Sequence, residues 1–423
     1  MEQLYKTLLG AWKQRKLPAV IERDIAIEQY ASLNPPKITV ISGFRRTGKT
    51  YLLFQLINKL GKEKCVYLNF EDERIPRTTE FLTNLLPAIT AYYGPIEYLF
   101  LDEIHVMPQW SIWLRRVYDT EKIRFFVTGS SSKMSSKEIP TELRGRFMEI
   151  RVFPLDFREF LRFRTAEKNA SENLLLEEYL TYGGLPEVVL IEENKKIELL
   201  QNYYNTVIRR DIIERFRIRS EENLKALLNL LLSSTQYTIS RLYNSLKSVG
   251  YGVSKSTLQT FLGYIETAYL AYSVPVFSPK VKEQMQWPRK IYFIDTGFTS
   301  QLSGKFSKNL GRLYENLAFL QLRREGDGRD IFYWKNKLHE EVDFVVKQGI
   351  AVKQLIQVCY DLDNIDTRKR EERALLKASS ELRCRNLLII TEREEGIRKK
   401  DGKIINYIPL IKWLREKKTK AMN

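Results

Sequence analysis

Eight residues, Gly43-Phe44-Arg45-Arg46-Thr47-Gly48-Lys49-Thr50, constrain this chain more than any other stretch. They fit G-x-x-x-x-G-K-[ST] without a mismatch. They lie between a β-branched run, Lys37 to Ser42, that reads as a buried strand and a helical pattern from Gly48 through Leu60. In that context the glycines let backbone N–H groups wrap phosphates, and the helix N-terminus adds the positive end of its dipole. Lys49 is placed to neutralise β- and γ-phosphate oxygens, and Thr50 to offer a hydroxyl to Mg²⁺. The expected cofactors are therefore ATP and Mg²⁺, held by Gly43 to Thr50 and the adjoining Tyr51.

The stretches around this loop supply the rest of such a site. Runs at Cys65 to Phe70, Tyr98 to Leu101 and Ile123 to Thr128 alternate with helical segments, the pattern of a parallel sheet in a three-layer α/β domain. Asp102 and Glu103 emerge where the second of these strands ends, the edge at which open α/β sheets bind ligands. Asp102 is the candidate for the magnesium shell, and Glu103 for the general base that polarises an attacking water. Thr128 and Ser130 close the next strand and are candidates for sensing the γ-phosphate. Arg146, and after it Arg144, offer guanidinium groups for transition-state charge on their own phosphate or a neighbour's.

At 423 residues the chain exceeds what one hydrophobic core supports, and its 43% hydrophobic and 29% charged residues are a globular balance. Two or three domains are expected. The reading is a helical segment at 1–36, an ATPase core at 37–154, a helical lid or connector at 155–220, a winged-helix-like domain at 221–285, and a second α/β domain at 286–423. A formal charge of +17 favours nucleic acid or another anionic partner. The basic end, with Arg398, Lys399, Lys400, Lys403, Lys417, Lys418 and Lys420, reads as a solvated tail. Three scattered cysteines, Cys65, Cys359 and Cys384, fit a reducing compartment. With no signal peptide and no apolar run long enough to span a bilayer, a cytoplasmic location without membrane contact is expected.

Within 221–277 the order is helix, short step at Thr238, helix, Gly250-Tyr-Gly252 turn, helix and strand. The third helix carries Lys255, Ser256, Gln259 and Thr260 on one face, suited to a major groove, while Arg241 and Lys247 could hold the backbone. DNA is the partner this face suggests, and a protein–protein spacer the alternative.

Taken together, Ile41 to Thr50, Asp102-Glu-Ile-His105 with Trp110, Thr128-Gly-Ser-Ser131, Leu143-Arg-Gly-Arg146 and Pro154 to Phe160 resemble the archaeal and bacterial AAA-type ATPases that carry an appended C-terminal domain. Gly183-Gly-Leu-Pro186, Arg210-Asp-Ile212, Asp295-Thr-Gly297 and Tyr314-Glu-Asn-Leu317 are similar to the same family's pattern. The resemblance implies an α/β fold: a P-loop NTPase three-layer parallel sheet with an additional strand, then a helical and winged-helix segment, then a restriction-nuclease-like α/β domain. In that last domain Glu315 and Asp343 stand where a PD-(D/E)xK nuclease has carboxylates. Gln357 replaces the third carboxylate and Cys359 the lysine. A neutral amide and a soft thiol suit neither a hard cation nor water activation, so nuclease activity is not expected. The remaining readings are an ATP-driven machine or switch that grips DNA, and a signalling ATPase whose nucleotide state controls a protein partner. A homo-oligomer is expected only if Arg146 acts across subunits.

Overall fold

Short apolar runs punctuated by polar turns become the strands of three sheets, and in the first the strands Ile38–Gly43, Tyr98–Asp102 and Arg124–Thr128 are buried along nearly their whole length, as the central strands of a parallel sheet covered on both faces require. The computed structural model describes residues 1–129, 143, 145–164, 171–303, 309–326 and 329–416. Ser130, Arg144, Lys417, Lys418 and Lys420 lie outside the described residues. The chain divides into two compact units, Met1–Pro154 with Thr267–Tyr269, and Leu155–Glu266 with Leu270–Asn423.

In the first unit the strands are β1 (Ile38–Gly43), β2 (Cys65–Asn69), β3 (Tyr98–Asp102), β4 (Arg124–Thr128) and β5 (Phe147–Val152). They form one parallel sheet in the order β2-β3-β4-β1-β5. β4 thus separates β1, which leads into the phosphate loop, from β3, which ends in Asp102. Helices α1 (Glu2–Gln14), α2 (Glu28–Ala31), α3 (Lys49–Leu60), α4 (Thr79–Tyr92) and α5 (Trp110–Thr120) belong to the same unit. Along α1 the residues Tyr5, Leu8, Leu9 and Trp12 are buried. The Tyr5 hydroxyl donates to the Phe81 carbonyl at 2.7 Å and Trp12 Nε1 to the Cys65 carbonyl at 2.8 Å, pinning α1 to α4 and β2. Residues 1–36 are not one helical stretch: α1 ends at Gln14, Arg15 is extended, and Pro18 cannot continue a helix. The chain then runs without regular secondary structure as far as α2, and this segment carries Arg23.

The second unit opens with helices at Phe157–Phe163, Glu172–Tyr182, Pro186–Leu190 and Glu193–Thr206, the last running on into a π-helical stretch Val207–Glu214. Next come helix Glu221–Ser233, β6 (Gln236–Tyr237), helices Ile239–Ser248 and Lys255–Thr267, β7 (Ala271–Val274), and β8 (Arg289–Phe293) after a short helix Val281–Gln286. β8 lies between β6 and β7 in an antiparallel sheet, so this strand, placed by sequence beyond the boundary at 285, joins the segment before it.

The rest of the unit is a six-stranded sheet in the order β13-β14-β12-β11-β10-β9, made of β9 (Arg329–Lys335), β10 (Glu341–Gln348), β11 (Ala351–Val358), β12 (Leu387–Thr391), β13 (Gly396–Lys400) and β14 (Lys403–Pro409). The described part of the basic end is not a tail. Arg398, Lys399, Lys400 and Lys403 sit in the β13–β14 hairpin, which turns at Asp401-Gly402 with both φ angles positive, the signature of a D-G hairpin turn. Two of these cations are paired, Lys400 with Glu372 at 2.7 Å and Arg398 with Glu394 at 2.9 Å.

Two motifs far apart in sequence meet in this unit. The Asp295 carboxylate accepts from Gly184 N at 2.8 Å and from Gly297 N at 2.9 Å. Gly183 has φ +78°, and a Cβ there would lie 1.6 Å from Asp295 Oδ1, so only glycine fits. Asn316 pairs with both backbone polar groups of Phe293, at 3.0 and 2.8 Å, which ties helix Leu310–Arg324 to β8.

Candidate active site

The phosphate loop follows from the backbone that glycine allows. Gly43 has φ +146° and packs so tightly on β5 that a Cβ would sit 2.2 Å from the Val152 carbonyl oxygen, while Gly48 has φ +91° at the start of α3. The Thr47 hydroxyl donates to the Phe44 carbonyl at 2.8 Å and closes the loop. Lys49, 7% exposed, donates to the carbonyls of Gly43 and Phe44, both at 3.1 Å. Its ammonium is thereby stored inside the loop, where phosphate oxygens could exchange for the carbonyls. Tyr51, the next residue but one, is exposed beside the loop.

Asp102, 2% exposed, gathers three hydroxyls. Thr50 Oγ1 donates to Oδ2 at 2.8 Å, Tyr67 OH to the same oxygen at 2.7 Å, and Thr128 Oγ1 to Oδ1. Burial pushes this carboxyl above its ordinary value, with Glu103 adding to the effect and the three hydroxyls opposing it. A nearby cation would reverse that balance. The hard-oxygen pair of half-buried Thr50 and buried Asp102 therefore fits Mg²⁺.

Glu103 occupies a left-handed backbone position, φ 55°, which turns it off the end of β3. Its N–H donates to Thr128 Oγ1 at 3.0 Å, and its Oε2 lies 3.1 Å from His105 Nδ1. Burial works to raise the Glu103 carboxyl, but the hydrogen bond from His105 and the charges of Lys49 and Arg45 outweigh it and hold the group at about 2. It is ionised at neutral pH and can only accept hydrogen bonds. Thr128 thus touches both carboxylate residues at once, a positioning contact within the pair.

Arg23 is a neighbour that sequence patterning did not single out. It is buried, donates through Nη1 to the Thr47 carbonyl at 2.8 Å and through Nη2 to the Phe153 carbonyl at 3.0 Å, and exchanges two hydrogen bonds with Gln55 of α3. It clamps the loop to the helix behind it. Arg146 behaves differently. It precedes β5, its carbonyl accepts from Ile38 N at the start of β1, and its guanidinium pairs with Asp119 at 2.9 Å. The phosphate loop follows the other end of β1, about 16 Å away along the strand, so Arg146 does not reach the loop of its own chain.

In the second unit, Lys255, Ser256 and Gln259 are exposed on helix Lys255–Thr267, whose opposite side buries Leu258, Phe261, Leu262 and Ile265. Arg241 and Lys247 are exposed on helix Ile239–Ser248. Lys247 and Lys255 both lie over the Tyr243 ring, and Lys255 donates to Ser240 at 3.2 Å, so the two helices present one basic face. Glu315 and Asp343 are also brought together, each within 2.8 Å of Lys290 Nζ. Gln357 accepts from Asp343 N at 3.2 Å and donates to Glu371 at 2.5 Å. The Cys359 thiol turns to the Asp361 carbonyl, and burial pushes it up to about 12, so it stays a protonated thiol at neutral pH. Among the described residues no helix is long and apolar enough to cross a membrane.

Residues 35–161 match an AAA domain, and residues 173–309 and 310–413 match two domains of unknown function. The uncharacterized protein MJ1544 of Methanocaldococcus jannaschii is 40% identical over 418 residues, covering 94% of this chain and 92% of its own length. An uncharacterized protein of Haemophilus influenzae is 27% identical over 81% of this chain and 88% of its own. Among solved structures, a Walker-type ATPase of Pyrococcus abyssi aligns with a TM-score of 0.48 at 16% identity, over 68% of this chain and 99% of that one. The chain belongs to the same family as MJ1544, and its N-terminal part is an AAA-type ATPase domain.

Proposed function

We propose that this protein binds ATP with Mg²⁺ at Gly43 to Thr50, hydrolyses it with Glu103, and couples nucleotide state to its grip on duplex DNA. One observation carries the ATPase half: Thr50, Asp102 and Glu103 converge at the carboxyl edge of the sheet, directly beside the loop that stores the Lys49 ammonium. The loop's N–H groups and the start of α3 cradle the phosphates, and Lys49 moves from the Gly43 and Phe44 carbonyls onto phosphate oxygens. Thr50 and Asp102 hold the metal, which when bound supplies positive charge against the developing negative charge on the phosphate oxygens. Glu103, fixed by Thr128 and His105, orients the attacking water and accepts its hydrogen bond. Tyr51 offers an aromatic surface to the nucleotide. Arg146, paired with Asp119 at the far end of β1, would act on nucleotide only at the phosphate of a neighbouring subunit.

The DNA half rests on the order helix, β6, helix, helix, β7, β8 with a β6-β8-β7 sheet, an order compatible with a winged helix, and on the basic face that the second and third of these helices share. Arg241, Lys247 and Lys255 hold phosphates, while Ser256 and Gln259 meet base edges. Fluorescence anisotropy with a labelled duplex at low and near-physiological salt tests this reading. Replacing the three cations by alanine should lower the slope of log affinity against log salt by about 2 to 3 and weaken binding for every sequence alike. Wild-type protein that binds no duplex at low salt, or a triple variant with an unchanged slope, would refute the DNA reading and favour a protein partner.

A further inference from the structure

Lys290 is among the most deeply buried cations described in this chain. Its side chain is 3% exposed, on the central strand β8. Its ammonium lies 2.7 Å from Asp343 Oδ1, 2.8 Å from Glu315 Oε1 and 2.9 Å from Glu341 Oε1. An ammonium has three N–H donors; two make hydrogen bonds to Glu315 and Asp343, and Glu341 is the third ion-pair partner. Two of the acceptors, Glu341 and Asp343, are two residues apart on β10 and so point to one side of the sheet. The third comes from helix Leu310–Arg324.

The partners around this centre are filled as well. Tyr292 OH donates to Glu315 at 2.6 Å, Gln236 and Lys335 donate to Glu341 at 2.9 and 2.8 Å, and Val358 N donates to Asp343 Oδ2 at 2.8 Å. Three carboxylates converging in a buried place repel one another unless a cation sits among them. Burial alone would strip the proton from Lys290, but Asp343 and Glu315 hold it well above its ordinary value, so the cation is permanent. Lys290 and Lys335 supply two positive charges against three negative ones. Burial and the unmatched charge accordingly push Asp343 up to about 7.

Converging Asp and Glu oxygens are the ligand set of a divalent metal, and the nuclease-like layout of Glu315 and Asp343 implies one. The residues present do not fit it. We propose that the Lys290 ammonium is the resident cation of this cluster, filling the place a divalent metal would otherwise take, so that the second unit holds no metal there. This inference is independent of the nucleotide reading.

The test is Mn²⁺ binding by nucleotide-free full-length protein carrying Asp102→Asn, which removes the carboxylate of the first unit's candidate metal site. This parent should bind no Mn²⁺ at millimolar concentration, and neither Mn²⁺ nor EDTA should shift its melting. Adding Lys290→Met should create one Mn²⁺ site per chain, lost again when Asp343→Asn is added. Stoichiometric Mn²⁺ on the parent that disappears with Asp343→Asn would overturn the proposal, whether or not the Lys290 variant folds. So would a Lys290→Met protein of native circular dichroism that takes up no Mn²⁺.

Discussion

Replacing Thr128 by valine removes one hydroxyl and almost no volume, so its effect isolates the contacts that hydroxyl makes. It donates to the buried Asp102 carboxylate and accepts from Glu103 N. A hydrogen bond to a charged group contributes about 1.5 to 3 kcal/mol, and a backbone N–H deprived of its acceptor costs about 1 kcal/mol more. The expected loss is about 3 kcal/mol, which for a unit of this size lowers its melting transition by about 6 to 12 °C. Catalysis should fall further than binding. Glu103 loses the anchor that sets its backbone, and a displacement of about 1 Å at a reacting group costs about a hundredfold in rate. Differential scanning calorimetry gives the first number, and steady-state hydrolysis with a fluorescent-nucleotide titration gives kcat and Kd separately. A Thr128→Val protein that melts and turns over like wild type would refute the positioning role.

Lys49→Ala should weaken nucleotide binding at least about tenfold, since the variant loses the charge that meets the phosphates; equilibrium titration with a fluorescent ATP analogue measures it. Gly183→Ala forces a Cβ to within 1.6 Å of Asp295 Oδ1 at a backbone angle of φ +78°, so the second unit should lose about 3 kcal/mol or more, with partial recovery in Gly183→Ala/Asp295→Ser, both read from urea unfolding. The Glu341 carboxyl is pushed up by burial, yet Lys290 and Lys335 hold it at about 2 against an ordinary 4.5. Its folded value being the lower one, its contribution is complete above pH 4.5 and is lost as the pH falls towards 2, so Glu341→Gln should flatten the acid limb of the second unit's stability curve.

The ATPase core was readable because several signals agreed: a β-branched strand, a glycine-rich loop and a helix in immediate succession, then an apolar strand ending in Asp102-Glu103. Arg23 escaped because it sits in an aperiodic stretch without regular secondary structure inside 1–36, a segment read as helical until Pro18 is weighed as a breaker. Tyr67 looked like any strand aromatic, and its hydroxyl's bond to Asp102 depends on β2 lying next to β3. The placement of Arg146 depended on β5, whose half-exposed alternation hides a strand and so hides which edge of the sheet the arginine precedes. Lys290 carries no local signal either: its three carboxylates come from residues 25 to 53 positions away. The basic hairpin at Arg398 to Lys403 was legible after all in Asp401-Gly402, had its turn chemistry been weighed above its charge.

The central claim, a nucleotide site in which Glu103 drives hydrolysis, is tested most directly by comparing wild type with Glu103→Gln in one experiment that reads both Mg²⁺-ATP binding and phosphate release. The account predicts that Glu103→Gln binds ATP about as tightly as wild type and releases phosphate at least about a hundredfold more slowly. Phosphate release by Glu103→Gln at the wild-type rate would contradict it.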